Sequence, residues 1–393
     1  MQISNNKEQI DELLTRGVEN IYPKPKFLEA RLKEGKQLSL YTGYDPTAPT
    51  LHIGHGITLL KLKQFQDLGH KVIFLIGDFT GMIGDPTDKS SARQKLTREQ
   101  VVANYQTYKE QAAKILDFDG DNPVEVKYNS EWHNKLSFAD VIELSSNFTV
   151  GRMLERDMFQ KRMEEEKPIY LHEFMYPLMQ GYDCVAMDVD GEVGGNDQTF
   201  NMLAGRTLMK QLKDKEKFVL TGKLLADSSG AKMSKTAGNM IALSDTPEDM
   251  FGKVMSWGDD MILSGFELCT TVPMAEIKDM DSSSNARDLK LRLAFEITKT
   301  FLGQNAAKKG QDYFEKVIQN KDKPEDIAKL SPSANDIVTI LVEAGFAAST
   351  SQARRAVEQG GVKINDKKVE SIEAQAKPGD VIQKGKRFFV KIV

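Results

Sequence analysis

Two histidines stand three positions apart in a glycine-containing stretch early in the chain. Residues 51–56 read LHIGHG, so Gly54 lies between His52 and His55, and Gly56 follows. A buried-strand pattern precedes the stretch and a helical pattern follows it, which places it at a helix N-terminus. Free N–H groups and partial positive charge there attract phosphate, and glycines let a nucleotide approach the backbone. We therefore predict a nucleotide-phosphate site; the alternative is that the histidines only cap the helix.

A pair of lysines forms a second candidate phosphate site further along the chain. Lys232 and Lys235 belong to the stretch KMSKT, in a loop rich in serine and glycine. Two lysines on such a loop can close over a polyphosphate as point charges. An isolated pair of this kind is more often a solvated basic loop. Together with the histidine turn, however, the pair favours a polyphosphate site.

Polar side chains also recur along one predicted helix. Tyr176, Gln180 and Asp183 are spaced i, i+4 and i+7, so they share one helix face. Buried polar groups need hydrogen-bond partners, and an amino-acid ligand would supply them. The alternative is a hydrogen-bond network that is satisfied within the protein.

The elements around these residues predict a parallel sheet. Residues 38–44 and 71–77 have the apolar composition of buried strands. Residues 57–68, between them, have helical spacing, with Gly69 as a stop signal. Strand, helix and strand in this order form a βαβ unit, which is the seed of a parallel α/β sheet.

Further elements follow from the same patterns. We predict a long helix that begins at Thr97 with a capping box to Gln100, and a linker over residues 320–335. Additional strands are predicted at 124–128, 184–188 and 218–220, and additional helices at 197–212 and 286–302.

The composition is that of a globular protein. With 393 residues, of which 40% are hydrophobic and 28% charged, the chain is expected to form two or three domains of roughly 150 residues each. No apolar run approaches the roughly 20 residues of a membrane helix, and no signal-peptide pattern is visible at the N-terminus. The two cysteines, Cys184 and Cys269, suit neither a disulfide framework nor a metal set. We therefore expect a cytoplasmic location.

The charge distribution is uneven along the chain. The formal net charge is −4, which by itself argues against a nucleic-acid partner. Residues 331–393, however, contain ten Lys or Arg and seven Asp or Glu. The sequence thus indicates a modestly basic appendage on an acidic body.

The histidine and lysine motifs together resemble the HIGH and KMSKS signatures of class I aminoacyl-tRNA synthetases. Thr236 replaces the last serine of KMSKS and keeps its hydroxyl. Further stretches are similar to tyrosyl-tRNA synthetases: YTGYDPT at 41–47, GDP at 84–86, the set on the 176–183 helix face, and GGNDQ at 194–198. Asn196 departs from the serine or threonine that is common in that family. No role is assigned to Glu192, where some relatives carry glutamine.

This resemblance implies an α/β fold with three parts and a defined reaction. The fold would be a Rossmann-type parallel-sheet catalytic domain with a helical domain and a small α+β S4-like C-terminal domain. The reaction would be ATP-dependent activation of tyrosine to tyrosyl-adenylate, followed by transfer to tRNA(Tyr). The implied domains are 1–228, catalytic with dimerisation helices; 229–325, the lysine loop and a helical domain; and 331–393, S4-like.

The resemblance also implies which residues contact tyrosine. Tyr41 and Asp183 would bind the phenol hydroxyl. The ammonium group would be held by Asp85, Tyr176 and Gln180, and Gln198 would help to position the carboxylate. A site that pairs with a hydroxyl rejects phenylalanine because its buried groups would be left unpaired; tyrosyl-tRNA synthetase is itself the standard example of this rule.

Other residues are assigned to ATP by the same resemblance. The residues assigned to catalysis are Thr47, His52, His55, Lys232 and Lys235. The residues assigned to ATP binding are Gly43, Asp45, Gly54, Thr58, Asp197, Lys89 and Arg93. Mg²⁺ would accompany ATP, and no metal site built from protein carboxylates is implied.

The C-terminal segment resembles the S4-type RNA-binding domain. A helix that starts near Ser349 would end at the glycines 360–361, and residues 362–369 would form a hairpin with an Asn-Asp turn. The residues predicted to contact tRNA phosphates are Arg354, Arg355, Lys363, Lys367 and Lys368. The alternative is a small packing domain with solvated lysines.

Relatives of this type are homodimers, and residues 132–170 are the expected interface. Three alternatives stay open at the level of sequence. They are the tryptophanyl enzyme, against which Tyr41 and Asp183 argue, a small-molecule nucleotidyltransferase of the same superfamily, and an RNA-binding paralogue that has lost catalysis.

Overall fold

A mostly parallel sheet organises the N-terminal part of the chain. The computed structural model describes residues 3–87, 96–226, 240–280, 285–319, 327–385 and 388–393. Within them the chain forms two compact units, Met1–Ala307 and Lys308–Val393. The three predicted domain boundaries stay a prediction.

The sheet of the first unit has six strands in the order β1-β6-β5-β2-β3-β4. Its strands are β1 (Val18–Tyr22), β2 (Ser39–Tyr44), β3 (Lys71–Ile76), β4 (Glu125–Tyr128), β5 (Gly191–Gly195) and β6 (Phe218–Gly222). β2 to β6 run parallel, and β1 pairs antiparallel with β6 at the edge. Nearly every residue of β3 is buried, as expected for a strand covered by helices on both faces.

Helices connect and cover these strands. They are α1 (Lys7–Thr15), α2 (Pro25–Lys33), α3 (Ile53–Asp67), α4 (Thr80–Ile83), α5 (Arg98–Tyr105), α6 (Tyr108–Ala112), α7 (Ser130–His133), α8 (Phe138–Ser145), α9 (Val150–Leu154), α10 (Asp157–Glu164), α11 (Leu171–Met187) and α12 (Thr199–Lys213). A 3₁₀ turn, Asn196–Gln198, precedes α12. The predicted β2–α3–β3 unit is confirmed, and Gly69 follows α3 at a φ of +90°, as is typical of a residue that stops a helix.

Two predicted elements near this sheet are wrong in part. Residues 184–188 were expected as a strand, but all except the last belong to α11. Their apolar run is short, and a short apolar run cannot distinguish a buried strand from a buried helix. The helix after Thr97 has the expected capping box with Gln100 but is only 8 residues long.

A helical segment follows β6, and the first unit ends within its last α-helix, at Ala307. It contains α13 (Pro247–Met255), α14 (Ile262–Cys269), α15 (Met274–Lys278), α16 (Ala286–Leu302) and α17 (Gln304–Tyr313), with a 3₁₀ turn at Asp259–Met261 and a π-helical turn at Phe314–Gln319. α16 packs against α13 and α14, and its bounds match the predicted helix.

The second unit is a small α+β domain. It contains α18 (Ile337–Glu343), α19 (Thr350–Glu358), β7 (Ala328–Leu330), β8 (Val362–Ile364), β9 (Lys367–Lys368), β10 (Val381–Lys384) and β11 (Phe388–Ile392). Its sheet has the order β7-β11-β10-β8-β9. The predicted hairpin is present, and Asn365 and Asp366 form its turn with positive φ. The predicted linker at 320–335 is wrong in part, because β7 pairs with β11.

Among the described residues, no helix has both the length and the apolar character needed to cross a membrane.

Candidate active site

A cavity of about 660 Å³ opens at the carboxyl ends of the parallel strands. The connections leave β2 toward β3 on one side and the sheet continues through β5 on the other. Ligands of open α/β sheets bind at such a switch point. The predicted site residues that line this cavity are Tyr41, Gly43, Asp45, Thr47, His52, Gly54, His55, Thr58, Asp85, Tyr176, Gln180, Asp183, Asp197 and Gln198.

The two histidines form a compact turn at the start of α3. Their rings stack with centroids 3.8 Å apart. The backbone N–H of His52 donates to Nδ1 of His55 over 3.2 Å, which leaves Nε2 of His55 as the nitrogen that carries the proton. A Cβ on Gly54 would lie 3.0 Å from the His52 ring, so glycine keeps this turn tight.

A segment from beyond β6 runs beside the same turn. Ile53 N donates to Ile241 O at 2.9 Å, and Leu243 N donates to Leu51 O at 2.9 Å. Met240 lines the cavity, as do residues 223–225 at the end of β6. The described residues on both sides of the predicted lysine loop therefore border the cavity, while Lys232 and Lys235 lie outside the described residues.

Asp45 joins three elements on the wall of the cavity. Its Oδ1 accepts from the Thr80 hydroxyl at 2.7 Å and its Oδ2 from the Tyr176 hydroxyl at 2.8 Å. A Cβ on Gly77 would lie 2.1 Å from Asp45 Oδ1, so only glycine allows β3 to end this close to the carboxylate. Burial, with the nearby Asp45, raises the pKa of Tyr176 well above its usual value, so its hydroxyl stays protonated and donates.

Asp85 is held between two segments. Its Oδ1 accepts from the backbone N–H and the hydroxyl of Thr87, and its Oδ2 accepts from Gln198 Nε2 at 2.8 Å. Arg156 lies 3.9 Å from Asp85 and donates to the Thr87 hydroxyl. Asp85 and Gln198, which were both predicted to contact the amino acid tyrosine, are thus in direct contact with each other.

Asp183 lies at the buried end of the cavity among nitrogen donors. Trp132 Nε1 and His133 Nε2 each lie 2.7 Å from Oδ1, and Asn129 Nδ2 lies 3.4 Å from Oδ2. Burial raises the pKa of Asp183, although the three donors lower it. Among the described residues, two of these donors meet on Oδ1 and only the longer contact falls on Oδ2, so Oδ2 keeps acceptor capacity for a ligand.

Tyr41 is fully buried beside Asp183's helix. Its hydroxyl lies 3.4 Å from Gln180 O and 3.2 Å from Cys184 Sγ. Burial raises the pKa of Tyr41 well above its usual value, which keeps the phenol neutral. A polar buried wall of this kind can recognise a ligand that carries both a hydroxyl and an ammonium group.

Comparisons with known proteins decide the family. The profile of the class I tRNA synthetases (W and Y) matches residues 33–319, and the S4 domain profile matches residues 337–382. The chain is 46% identical over 386 residues to the tyrosine–tRNA ligase of Haemophilus ducreyi, with 96% of each chain covered. The chain belongs to the tyrosyl-tRNA synthetases. The tyrosine–tRNA ligase of Moorella thermoacetica is 44% identical over 97% of this chain and 94% of its own.

A solved structure agrees with this membership in the tyrosyl-tRNA synthetase family. A truncated mitochondrial tyrosyl-tRNA synthetase of Coccidioides posadasii covers 77% of this chain and 91% of its own, with a TM-score of 0.64 and 25% identity. The predicted α/β fold class, the S4 domain and the activity of an ATP-dependent tyrosine–tRNA ligase are therefore confirmed. Lys89 and Arg93, which the sequence placed near ATP, lie outside the described residues.

The basic residues predicted for RNA lie in the second unit of this tyrosyl-tRNA synthetase. Arg354 and Arg355 are exposed on α19, and Lys363, Lys367 and Lys368 are exposed on the β8–β9 hairpin. Lys363 and Lys368 are paired across the hairpin, and a Cβ on Gly360, after α19, would meet the Lys368 side chain. The hairpin and the end of the helix are therefore adjacent.

Sequence reasoning missed several polar residues of this site. Asn129, Trp132 and His133 surround Asp183, while Lys217 and Glu192 form a buried pair below Tyr41. Asn129 follows directly after β4, and residues at the carboxyl end of a parallel strand are site candidates. The position after β4 could therefore have pointed to Asn129, Trp132 and His133. The Lys217–Glu192 pair, in contrast, depends on contacts between distant segments.

Proposed function

We propose that this cavity activates tyrosine with ATP and that the predicted residues carry out the roles implied by the family. The observation that supports this most directly is that the histidine turn and the Tyr41–Asp183 wall line one cavity. A phosphate-binding turn and a hydroxyl-binding wall in one cavity suit a reaction that joins tyrosine to a nucleotide.

The tyrosine contacts follow from hydrogen-bond capacity. The phenol O–H donates to Asp183 Oδ2 and lies beside the Tyr41 hydroxyl. Asp85, Tyr176 and Gln180 receive the ammonium group, which can only donate. Gln198, held by Asp85 over 2.8 Å, helps to position the carboxylate.

The chemical step needs alignment and charge stabilisation. The tyrosine carboxylate is ionised at neutral pH and attacks the α-phosphate itself, so no side-chain nucleophile takes part. Thr47 and His52 contact the departing pyrophosphate, while His55 and Thr58 lie near the ribose. Such preorganised donors act where charge develops in the transition state.

Other groups complete the nucleotide site in this proposal. Gly43 and Gly54 allow close approach of ATP, Asp45 holds the adenylate or the ammonium group, and Asp197 binds the ribose. The cations Lys232, Lys235, Lys89 and Arg93 neutralise the pyrophosphate. Mg²⁺ would accompany ATP and help to neutralise its phosphates, and no residue of this chain is assigned to it.

Pyrophosphate exchange into ATP tests the proposed activation step. The assay is run with each amino acid in turn, and exchange with tyrosine only is expected. Exchange with tryptophan would assign the pocket to the related enzyme. No exchange with any amino acid would contradict catalysis and favour an RNA-binding paralogue.

We also propose that the chain is a homodimer through the 132–170 region, and that it acts with tRNA(Tyr) in the bacterial cytoplasm. Large apolar side chains are exposed in and directly beyond this region: Phe138 at 81%, Val150 at 71% and Leu171 at 80%. Exposed apolar side chains clustered in one region are typical of interaction surfaces. Bacterial relatives and two free cysteines support the location.

The dimer proposal is tested by light scattering after size exclusion. The expected mass is twice the 44.0 kDa of one chain. A Phe138→Asp variant is expected to be monomeric, whereas Leu263→Asp, at a 40% exposed leucine on α14, should remain a dimer. A monomeric wild-type protein would contradict the proposal.

A further inference from the structure

A buried charged cluster adjoins the cavity, which Glu192 itself lines, and the proposed reaction does not use this cluster. Lys217, which is fully buried just before β6, forms an ion pair with Glu192 Oε2 on β5. Lys217 Nζ also lies 2.9 Å from Cys184 Sγ and 3.3 Å from Met202 O. Burial lowers the pKa of Lys217, but Cys184 and Glu192 outweigh burial and the net pKa is raised, so the ammonium is retained.

The packing of α12 leaves little freedom to this cluster. A Cβ on Gly205 would lie 2.7 Å from Lys217 Nζ and 2.6 Å from Cys184 Sγ. The helix backbone therefore passes directly over the ammonium group. Glu192 is only 2% exposed, and its carboxylate is paired with the Lys217 ammonium group.

The second oxygen of Glu192 reaches the tyrosine site. Gln180 Nε2 donates to Glu192 Oε1 over 2.8 Å. A carboxylate can only accept hydrogen bonds, whereas an amide has one donating end and one accepting end. Glu192 can therefore bind only the NH₂ end of the Gln180 amide, and the amide oxygen is left for another partner.

The amide oxygen of Gln180 has the chemistry that the proposed ligand needs. Gln180 lines the cavity, and within the described part of the chain its Oε1 has no hydrogen-bond partner. An ammonium group has three donors and no acceptor. The opposite orientation of the amide would point its NH₂ group at that ammonium and repel it.

We propose that Glu192 and Lys217 are positioning residues that orient the Gln180 amide so that its oxygen receives the ammonium group of tyrosine. This inference rests on the proposed function of the cavity. Lys217 acts on Glu192, Glu192 acts on Gln180, and only Gln180 touches the substrate. A purely structural ion pair would support every ligand of the cavity equally.

The proposal is tested by comparing two ligands in a Glu192→Gln variant. In this variant Lys217 donates to the oxygen of the new amide, whose NH₂ then faces Gln180 and turns that amide around. The ligands are L-tyrosine and 3-(4-hydroxyphenyl)propanoate, which lacks the ammonium group, and binding is measured by calorimetry. We expect the Kd of tyrosine to rise about 10-fold, since a charged hydrogen bond is lost, and that of the analogue to stay within twofold.

Two further variants sharpen the test. Gln180→Glu added to Glu192→Gln should recover most of the tyrosine affinity, because residue 180 then accepts on both oxygens. Lys217→Gln should reproduce the tyrosine-selective loss, because the ammonium group that holds Glu192 Oε2 is removed. Lys217→Gln also tests the positioning role if the Glu192→Gln variant folds poorly.

The control is Glu173→Gln on α11, the helix that also carries Gln180; it breaks a buried ion pair with Arg162 of α10. It should affect both ligands equally. Equal weakening of tyrosine and the analogue in Glu192→Gln and Lys217→Gln would overturn the positioning role while leaving the proposed function intact. Failure of the wild-type protein to bind tyrosine at all would overturn the proposed function, and this inference with it.

Discussion

Asp183 shows how a single residue can carry specificity only when its surroundings prepare it. Trp132 and His133 both lie 2.7 Å from one carboxylate oxygen, which fixes the rotamer of the side chain. Among the described residues, the other oxygen has only the longer contact with Asn129. The carboxylate is thus oriented before any ligand binds, and an oriented site loses little entropy on binding.

The first prediction concerns Asp183→Asn. We expect the Kd of tyrosine to rise by roughly 10- to 100-fold, because a hydrogen bond to a charged group contributes about 1.5–3 kcal/mol. The measurement is equilibrium dialysis with tyrosine. Asp190→Asn, at a carboxylate that binds Ser39 and Arg31 outside the cavity, is the matched control. Unchanged tyrosine affinity in Asp183→Asn would contradict the pocket assignment.

The second prediction concerns Lys232→Ala and rests on the sequence motif. A lysine that neutralises the leaving pyrophosphate acts mainly in the transition state. Tyrosine activation should therefore slow by at least roughly 100-fold, as expected for the loss of one stabilising group, while the Kd of tyrosine stays nearly constant. Single-turnover kinetics and dialysis measure the two quantities. Lys210→Ala, at an exposed lysine paired with Asp214, should change neither; a parallel loss of tyrosine affinity in Lys232→Ala would argue against the role.

At the scale of elements, a buried contact anchors the helix that carries the histidine turn. Lys61 on α3 donates to Leu13 O at 2.9 Å and to Arg16 O at 2.8 Å. Arg16 in turn donates to backbone carbonyls at the end of α14, including Phe266 O at 3.0 Å and Val272 O at 2.8 Å. α1, α3 and α14 are therefore joined through backbone acceptors.

The third prediction follows from the charge of Lys61. Burial, together with Arg16, lowers the pKa of Lys61 to about 7, whereas the unfolded chain keeps this proton up to about pH 10.4. Between these values the unfolded state binds more protons, so the stability that Lys61 contributes rises with pH. It should be lowest below pH 7.

Urea unfolding of the wild type and Lys61→Met at several pH values measures this effect. The difference in unfolding free energy should shift in favour of the wild type as the pH rises from 7 to 10, by up to about 1.4 kcal/mol for each pH unit. Lys63→Met, at the more exposed lysine that pairs with Asp67 and Asp117, should give a difference that hardly depends on pH. If the difference in unfolding free energy for Lys61→Met does not change with pH, the pKa of Lys61 is not lowered and the prediction is wrong.

The helix α11 illustrates what a pattern leaves undecided at this scale. The spacing of Tyr176, Gln180 and Asp183 correctly predicted one helix face, since polar residues at i, i+4 and i+7 suit no strand. The adjoining apolar residues were assigned to a strand, yet α11 continues through them to Met187. There α11 packs against α12, and that tertiary contact determines the conformation.

At the scale of the whole molecule, the C-terminal sheet includes a strand, β7, that lies before residue 331. β7 pairs with β11 in register, Ala328 with Val390 and Leu330 with Ile392. A cut after Leu330 would therefore leave one strand of the C-terminal sheet behind. A cut after Gln319, where the preceding described segment ends, removes the whole sheet.

The fourth prediction uses this cut. Deletion of residues 320–393 should lower tRNA charging far more than tyrosine activation, because phosphate contacts supply much of the affinity for RNA. A full-length variant with Arg354, Arg355 and Lys363 changed to glutamine should show the same selective loss, with charging that depends less steeply on salt. Equal losses of charging and activation would indicate a structural role for this unit.

The sequence by itself determined the family, the βαβ unit and most of the residues that line the cavity. It did so because the motifs at 41–47, 52–55 and 194–198 are each formed by neighbouring residues. Turns that follow parallel strands also lie at the same edge of the sheet, so these motifs come together there. Tertiary structure alone decided how those residues are supported. Lys217, Glu192 and Gln180 come from three separate segments, and their contact depends on how α11 and α12 pack over β5. No local pattern encodes such a contact, since its energy arises only when distant side chains are buried together.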